Sequence, residues 1–395
     1  MKKGHILFIV ENNPAPPDVR VWNEALAARE FGYEVSVIGP AERWGDPFHS
    51  LIQGVHVYRH PRPKEAAGKW AMILEYLNAP LWEMLISLGI FLSRPFQVIH
   101  GANPPDHIFM IALPFKPFGV RYLFDHHDIA PENYVAKFGR KDLLFRFLRV
   151  MERLTFRTAD LVVSTNESYK RIAMARGGKR DEEVVVVRNG PDLRRLPAVS
   201  PNPGLREGFS HLVAYVGLIG QQEGIENLLR AAEHIVKAKG RDDVKFVVVG
   251  TGPYLEHVRR RSADMGLERN VRFTGYIPNR DKYEVLTTAD VCINPEFGNA
   301  FTDKSTMIKI MEYMSVAKPV VQFYTTEGEV TAGPAAVYVR ENDAVKFAEA
   351  LLELLGDDAR RAEMGAVGRR RVEDRWAWGI QKERLRDAYR RILSS

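Results

Sequence analysis

The chain has one cysteine in 395 residues, Cys292, which excludes an intramolecular disulfide framework and fits a reducing compartment. That thiol stands in the apolar run Asp290-Val291-Cys292-Ile293, so an inert buried side chain is expected rather than a nucleophile. Long apolar runs are missing too. The most apolar later stretch, residues 84–92, falls far short of the ~20 residues needed to span a bilayer. The opening MKKGHILFIV is brief in its apolar part and runs into Glu11-Asn12-Asn13 with no small-residue cleavage site. It reads as a first buried strand rather than a leader. There is no dense basic tract, and a net charge of +6 is modest for this length. Nucleic acid is therefore not expected as a partner, whereas the charge is compatible with anionic ligands or an anionic membrane surface.

What is present is ordinary globular composition, 45% hydrophobic and 27% charged, in a chain long enough to bury two substantial cores. Continuous Val/Ile/Phe-rich runs at 5–10, 34–39, 97–100, 122–124, 161–164 and 184–187 predict parallel strands covered on both faces. An amphipathic helix over 21–31, closed by Gly32, separates the first two. A proline-rich stretch over 191–208 interrupts the pattern. Strands then resume at 212–216, 245–249, 271–274, 291–293, 319–323 and 336–339, with a helix over 227–239. The expectation is an α/β chain of two doubly wound, Rossmann-like domains facing across a cleft. Their bounds are expected at 1–195 and 209–375, with 196–208 as a linker and 376–395 as a C-terminal helix returning to the first domain. Ligands of such sheets bind beyond the carboxyl ends of the strands, so the site is expected in that cleft.

The stretch NAFTDKSTMIKIMEYMSVAKPVV, residues 299–321, carries the densest chemistry. It predicts a polar loop feeding a helix that begins near Ser305, with Glu312 about two turns in, and unpaired N–H groups facing an anion. Glu312 also reads as a surface acid pairing with Lys309, and Asp303 or Ser305 as a plain N-cap. Gly250-Thr251-Gly252-Pro253 follows a strand and precedes a helix, which suits close backbone approach to a ligand or an ordinary turn. In FDHHDIAPENY, residues 124–134, adjacent His126, His127 and Asp128 invite a metal reading. No second cluster supplies further ligands, so no metal is expected, and His126 reads as a satisfied structural histidine.

Taken in order and spacing, several segments resemble the retaining GT-B glycosyltransferases of family 4 over nearly the whole chain. They include DVRVWNEALAAREFGYEVSVIGP, DHHDIAPENY, RTADLVVSTNESYKRIA and VVVVRNGPD, then AYVGLIGQQEGIENLLRAA, FVVVGTGPYLEHV, VRFTGYIP and KIMEYMSVAKPVV. The Lys-x-x-Glu-Tyr-Met signature is most similar to the bacterial polysaccharide-assembly subgroup. This resemblance implies a sugar transferred from a nucleotide-sugar, UDP-linked in preference to GDP- or ADP-linked, to a glycan or polyprenyl-diphosphate-linked acceptor. It implies no cofactor and no metal. Glu312 would accept from the ribose hydroxyls, and His127 would contact the donor sugar near the reacting carbon. Gly250, Gly252, Ile277, Asp303, Ser305, Thr306 and Lys309 would line the donor. Asn12, Asn13, Arg20, Asp128 and Glu132 would face the acceptor.

Two departures stand out. The turn after the second domain's first strand reads GLIGQQEG, with Leu218 and Glu223 where the family commonly has Arg and Lys. The position eight residues before Glu312, a glutamate in much of the family, is Lys304. Positive charge is expected to have moved to Lys304 and Lys309, making Lys304 a catalytic candidate with His127 and Glu312. Other readings stay open: an epimerase or phosphorylase of the same fold, or a catalytically silent sugar-nucleotide-binding subunit.

Residues 137–157 carry seven basic side chains against two acidic ones. Arg146, Arg149, Arg153 and Arg157 fall on one helical stripe, and Leu144, Leu148 and Met151 on another. With the apolar region 69–91, this pattern suits peripheral contact with an anionic membrane or a core helix with a solvated charged face. The corresponding location is cytoplasmic, at the inner face of the cell membrane under the first reading.

Overall fold

The computed structural model describes residues 4–61 and 69–394, with side chains of the helix opening at Lys69 described from residue 78 onward. The chain divides into two compact units, residues 1–188 with 381–395, and residues 189–380.

The first unit is built on β1 (His5–Val10), β2 (Glu34–Pro40), β3 (His49–Ile52), β4 (Val55–His60), β5 (Val98–Ala102), β6 (Arg121–His126), β7 (Leu161–Ser164) and β8 (Val184–Val186). Their order in the sheet is β3-β4-β2-β1-β5-β6-β7-β8. Pairing is parallel throughout except at β3–β4. That edge hairpin is absent from the pattern of apolar runs, for a physical reason. Its residues alternate in burial, exposed with half-buried in β3 and buried with half-buried along most of β4, as befits an antiparallel edge, and Gln53 (φ 49°) and Gly54 (φ 77°) make its two-residue turn. The helices are α1 (Val19–Glu30), α2 (Lys69–Ser93), α3 (Phe109–Ala112), α4 (Ala130–Phe138), α5 (Leu143–Thr158) and α6 (Glu167–Gly177).

The second unit carries β9 (His211–Val216), β10 (Val244–Val249), β11 (Val271–Gly275), β12 (Val291–Asn294), β13 (Val320–Phe323) and β14 (Ala336–Val339), ordered β11-β10-β9-β12-β13-β14 and parallel throughout. Its helices are α7 (Ile225–Glu233), α8 (Leu255–Asp264), α9 (Asn279–Thr288), α10 (Ile308–Ser315), α11 (Thr326–Ala332), α12 (Ala344–Leu355) and α13 (Asp358–Arg371). The last helix, α14 (Trp378–Ser394), opens in the second unit, and from Gln381 its residues belong to the first. Residues 196–208, expected as a linker, lie along the second unit. Leu196, Val199 and Leu205 pack on its core, and Asn202 donates to Glu284 (2.8 Å).

In both sheets the strand order reverses beside the unit's first strand, between β1 and β5 and between β9 and β12. Such reversals open the crevices where α/β sheets take ligands. Cys292 is fully buried in β12, and burial pushes its thiol up to about 12, so it is inert as expected.

Candidate functional site

In the second unit, the loops after β9, β10, β11 and β12 converge at the crevice. Gly217 N donates to Val249 O (3.1 Å), Ile219 N to Thr251 O (2.9 Å) and Gly250 N to Gly275 O (3.1 Å). Gly250 (φ 142°) lies so close to this backbone that a Cβ would fall 1.8 Å from Gly217 O, and at Gly252 one would fall 2.4 Å from Ile219 O. These glycines are required for the loops to close on one another. Gly224 and Asn227 seal the other side, the Asn227 amide donating to Pro295 O (3.0 Å). Ile277 rests half-buried on the core.

The loop at 299–306 holds itself. Asn299 Oδ1 accepts from Phe301 N (2.8 Å) and Thr302 N (3.0 Å), and Ser305 Oγ donates to Phe301 O (2.8 Å). Asp303 accepts from Thr326 N (2.8 Å), the first residue of α11, and Lys304 Nζ donates to Ala300 O (2.8 Å). The helix starts later than expected, at Ile308, because these turns occupy the backbone. Neither Asp303 nor Ser305 caps it: Met307 stands at the N-cap and supplies no side-chain hydrogen bond. Glu312 therefore sits about one turn into α10 rather than two. Thr306 is half-buried just ahead of Met307.

Lys309 and Glu312 do not pair with each other. Glu312 accepts from Lys282 Nζ of α9 (2.7 Å), not from Lys309. Lys309 Nζ reaches Glu296 Oε1 (2.5 Å) and the Tyr215 hydroxyl (3.3 Å), its stem beside Gly217. Burial pulls its ammonium down, but Glu296 and Tyr215 raise it above the ordinary lysine range. Burial together with Glu296 also raises Glu223, so this corner holds two acids around one cation. Tyr313 fixes α10 in place, its hydroxyl accepting from Val216 N (2.9 Å) and donating to Ile293 O (3.2 Å). Glu296 and Tyr313 escape a sequence reading. The first looks like a loop acid and the second like packing.

In the first unit, His127 is set by hydrogen bonds on two sides. Its N–H donates to Asn103 Oδ1 (2.8 Å), and its Nδ1 lies 3.2 Å from Asp125 Oδ2. Asp125 is fully buried. Burial pushes its carboxyl up, but Arg20 and His127 hold it well below the usual carboxylate range. Arg20 bonds both its oxygens (2.8 and 2.5 Å), donates to Val187 O (3.1 Å) and pairs with Glu24 (3.1 Å). Arg20, expected to face the acceptor, is instead a buried support. The reason is its place in α1, on the face packed against the sheet. His100 completes the cluster between Glu24 (3.2 Å) and the Tyr389 hydroxyl (2.8 Å). Glu24, His100 and Asp125 bring ligand atoms within 4.8 Å of one another. Arg20 already supplies the positive charge to both carboxylates, so the set does not read as a metal centre.

His126 is buried and structural, but not through hydrogen bonds. It packs between Phe156 and Tyr169 with no polar partner among the described residues, and burial pulls its imidazole down to about 3. Asp128 accepts from Ile129 N (2.7 Å), with its carboxyl raised by burial. Glu132 pairs with Arg176. Asn12 and Asn13 are exposed on the loop after β1, Asn13 donating to Asp18 (3.2 Å). Asn103, absent from the expected residues, organises the loop. It holds His127 and Asp128 N–H on its oxygen and donates to Asp106 (2.8 Å) and Asp128 O (2.8 Å).

Two family models match this chain, a glycosyl transferase 4-like domain over residues 17–190 and glycosyl transferases group 1 over residues 210–357. The chain belongs to the family 4 glycosyltransferases of the GT-B fold. The chain is 30% identical over 207 residues to a GDP-mannose-dependent monoacylated α-(1-6)-phosphatidylinositol monomannoside mannosyltransferase of Corynebacterium glutamicum, covering 50% of this chain and 53% of that protein. It is 29% identical over 182 residues to a related mannosyltransferase of Mycolicibacterium smegmatis, covering 45% and 47%. The chain thus spans about half the length of these curated relatives. Sucrose-phosphate synthase of Thermosynechococcus elongatus shares the fold with a TM-score of 0.80 at 17% identity, over 99% of this chain and 100% of that one. Anabaena HepE, in complex with UDP-glucose, does so at 0.72 and 14%, over 98% and 99%.

Proposed function

We propose that the protein is a nucleotide-sugar-dependent glycosyltransferase of glycan or glycolipid assembly that retains anomeric configuration without a metal. The observation that carries this reading is Lys309. Its stem lies beside Gly217 and its ammonium reaches the Tyr215 hydroxyl, at the turn where the family commonly places its basic pair, so the charge lost from that loop would be resupplied from α10. A leaving diphosphate needs such a fixed cation and oriented N–H groups to hold its developing charge. The glycine-lined loops and the first turn of α10 would supply the N–H groups. Glu312, a turn from Lys309, would exchange Lys282 for the ribose hydroxyls. Gly250, Gly252, Ile277, Ser305 and Thr306 would shape the donor pocket, with Asp303 and Lys304 bracing its loop.

In the first unit, His127 would serve the transferred sugar. With Asp125 accepting from Nδ1–H, Nε2 would be the free face of the ring. The acceptor, a glycan or a lipid-linked glycan, would be held by the same unit near Asn12, Asn13, Asp128 and Glu132. A front-face displacement, in which the leaving phosphate takes the acceptor proton, needs no enzymic nucleophile.

HepE's UDP-glucose and the relatives' GDP-mannose define the test. In a thermal-shift panel of UDP-, GDP-, ADP- and TDP-sugars, one nucleotide class should raise the melting temperature by mass action. Nucleotide release should then require acceptor, and NMR of the product should show the donor's anomeric configuration. An unshifted melt across the panel would overturn donor binding, and an inverted product would overturn retention.

A further inference from the structure

The carboxyl ends of β4, β1, β5 and β6 carry a line of polar side chains across the strand reversal of the first unit, where α/β sheets take ligands. His60 ends β4, Glu11 follows β1, Asp106 and His107 come after β5, and His127 follows β6. Asn103 ties part of the line together, holding His127 N–H on its oxygen and donating to Asp106. Beyond His127, the line contains a second set of groups suited to a ligand. His107 Nε2 lies 2.7 Å from Glu11 Oε2, and both side chains are half-buried.

Two features of this pair point to something it binds. Each partner keeps one polar atom with no hydrogen bond among the described residues, Oε1 of Glu11 and Nδ1 of His107, and neither atom is buried. Burial pulls the His107 imidazole down, but Glu11, Glu83 and Asp106 raise it above its ordinary range. Glu83 is the second feature. It is fully buried in α2 with neither carboxylate oxygen hydrogen-bonded, 3.6 Å from His60 Nε2, and the Ser87 hydroxyl one turn on has no partner either. Burial and the charge of Glu11 push its carboxyl up. Orphaned buried polar groups are rare and collect where a structure is built for function rather than stability.

Charge narrows the ligand. Glu11, Glu83, Asp106 and Asp128 crowd this edge, and among the described residues none pairs with a lysine or arginine. Arg20 is committed to Asp125 and Glu24, and Arg176 to Glu132 and Glu152. A phosphate would meet carboxylates here with no fixed guanidinium or ammonium to offset them. Hydroxyls suit the pair. One can donate to Glu11 Oε1, and another can bond His107 Nδ1 whether that nitrogen donates or accepts.

We infer that Glu11 and His107 select the acceptor, taking adjacent hydroxyls of an uncharged sugar or cyclitol ring and turning phosphate away from that end of it. This rests on the glycosyltransferase reading and gives its acceptor a chemistry.

The test is saturation-transfer NMR on the full chain without nucleotide. The probes are myo-inositol, the methyl glycosides of mannose, glucose, galactose and N-acetylglucosamine, and glycerol 3-phosphate. At least one uncharged ring should bind, and glycerol 3-phosphate should not. Glu11→Gln should weaken that ring about tenfold or more, the scale of one charged hydrogen bond. It should also admit glycerol 3-phosphate, because His107 then meets the phosphate without a carboxylate beside it. His107→Gln should weaken the ring by a similar factor and still exclude phosphate, and it keeps the test decisive should Glu11→Gln fail to fold. A merely structural pair would lower the melting temperature without reversing the choice between ring and phosphate. Wild-type binding of glycerol 3-phosphate overturns the inference, as does a wild type that binds no ring. Unchanged ring affinity in either variant, or a folded Glu11→Gln variant that still excludes phosphate, overturns it too. No nucleotide is present, so failure here leaves the donor reading standing, whereas an unshifted donor panel leaves the ring site standing.

Discussion

At the crevice of the first unit, Arg20, Glu24, His100 and Asp125 crowd beneath His127 in a buried network. At the crevice of the second, glycines bring backbone up to the surface, and a lysine is the main cation. The sheets share an ordering rule, yet one crevice is built to fix a side chain and the other to expose main chain. The contrast fits different tasks. A polyanion is held by N–H groups that only glycine leaves accessible. An imidazole that must present one nitrogen needs its other nitrogen anchored.

The most damaging way to break the contrast is Asp125→Ala, which leaves Arg20 buried without its main partner. A loss of ~3–5 kcal/mol is expected, seen in calorimetry as an earlier melting transition of the first unit, with nucleotide binding retained by the second. Gly250→Ala should do the reverse. The strained φ and the clash with Gly217 O should abolish nucleotide binding in titration calorimetry, at ~1–3 kcal/mol or more of stability.

Lys309→Gln should lower kcat/KM by ~10²–10³, whereas Lys304→Gln should stay within roughly threefold, losing one hydrogen bond worth about 0.5–1.5 kcal/mol at most. Equal losses would undo the distinction between the two lysines. Glu312→Gln should raise the donor KM about 10- to 100-fold, the scale of charged hydrogen bonds at ~1.5–3 kcal/mol.

The last prediction concerns Asp106, whose carboxyl burial pushes up to about 7. The unfolded chain gives up this proton near pH ~4 and the folded chain near 7. Over that window the folded state binds more protons, so stability falls as pH rises and stays lower above it. Asp106→Asn should remove the slope, melting above wild type at alkaline pH and close to it at pH ~5.

The apolar runs made the parallel strands legible, because doubly covered strands need no alternation. The β3–β4 hairpin was hidden by the opposite property: its residues alternate in burial instead of staying covered on both faces. The polar loop and the helix after it could be read from residues 299–321, but the helix start could not. Asn299 and Asp303 are good N-cap residues whose side chains are drawn to Phe301, Thr302 and Thr326. Arg20 was misplaced because spacing says nothing about which charges face each other across α1 and β6. The apolar stripe of α5 was likewise one of several that its helical spacing allowed: Leu143, Leu144, Phe147, Val150 and Leu154 are exposed, whereas Leu148 and Met151 are half-buried.

The C-terminal helix carries one more consequence. Gln381 Oε1 accepts from Arg188 N (3.0 Å), and Tyr389 reaches His100 inside the first unit. That unit is discontinuous in sequence, its final piece separated by the whole of residues 189–380. On the ribosome, the first unit therefore waits for the second to be synthesised before its buried charge cluster can close.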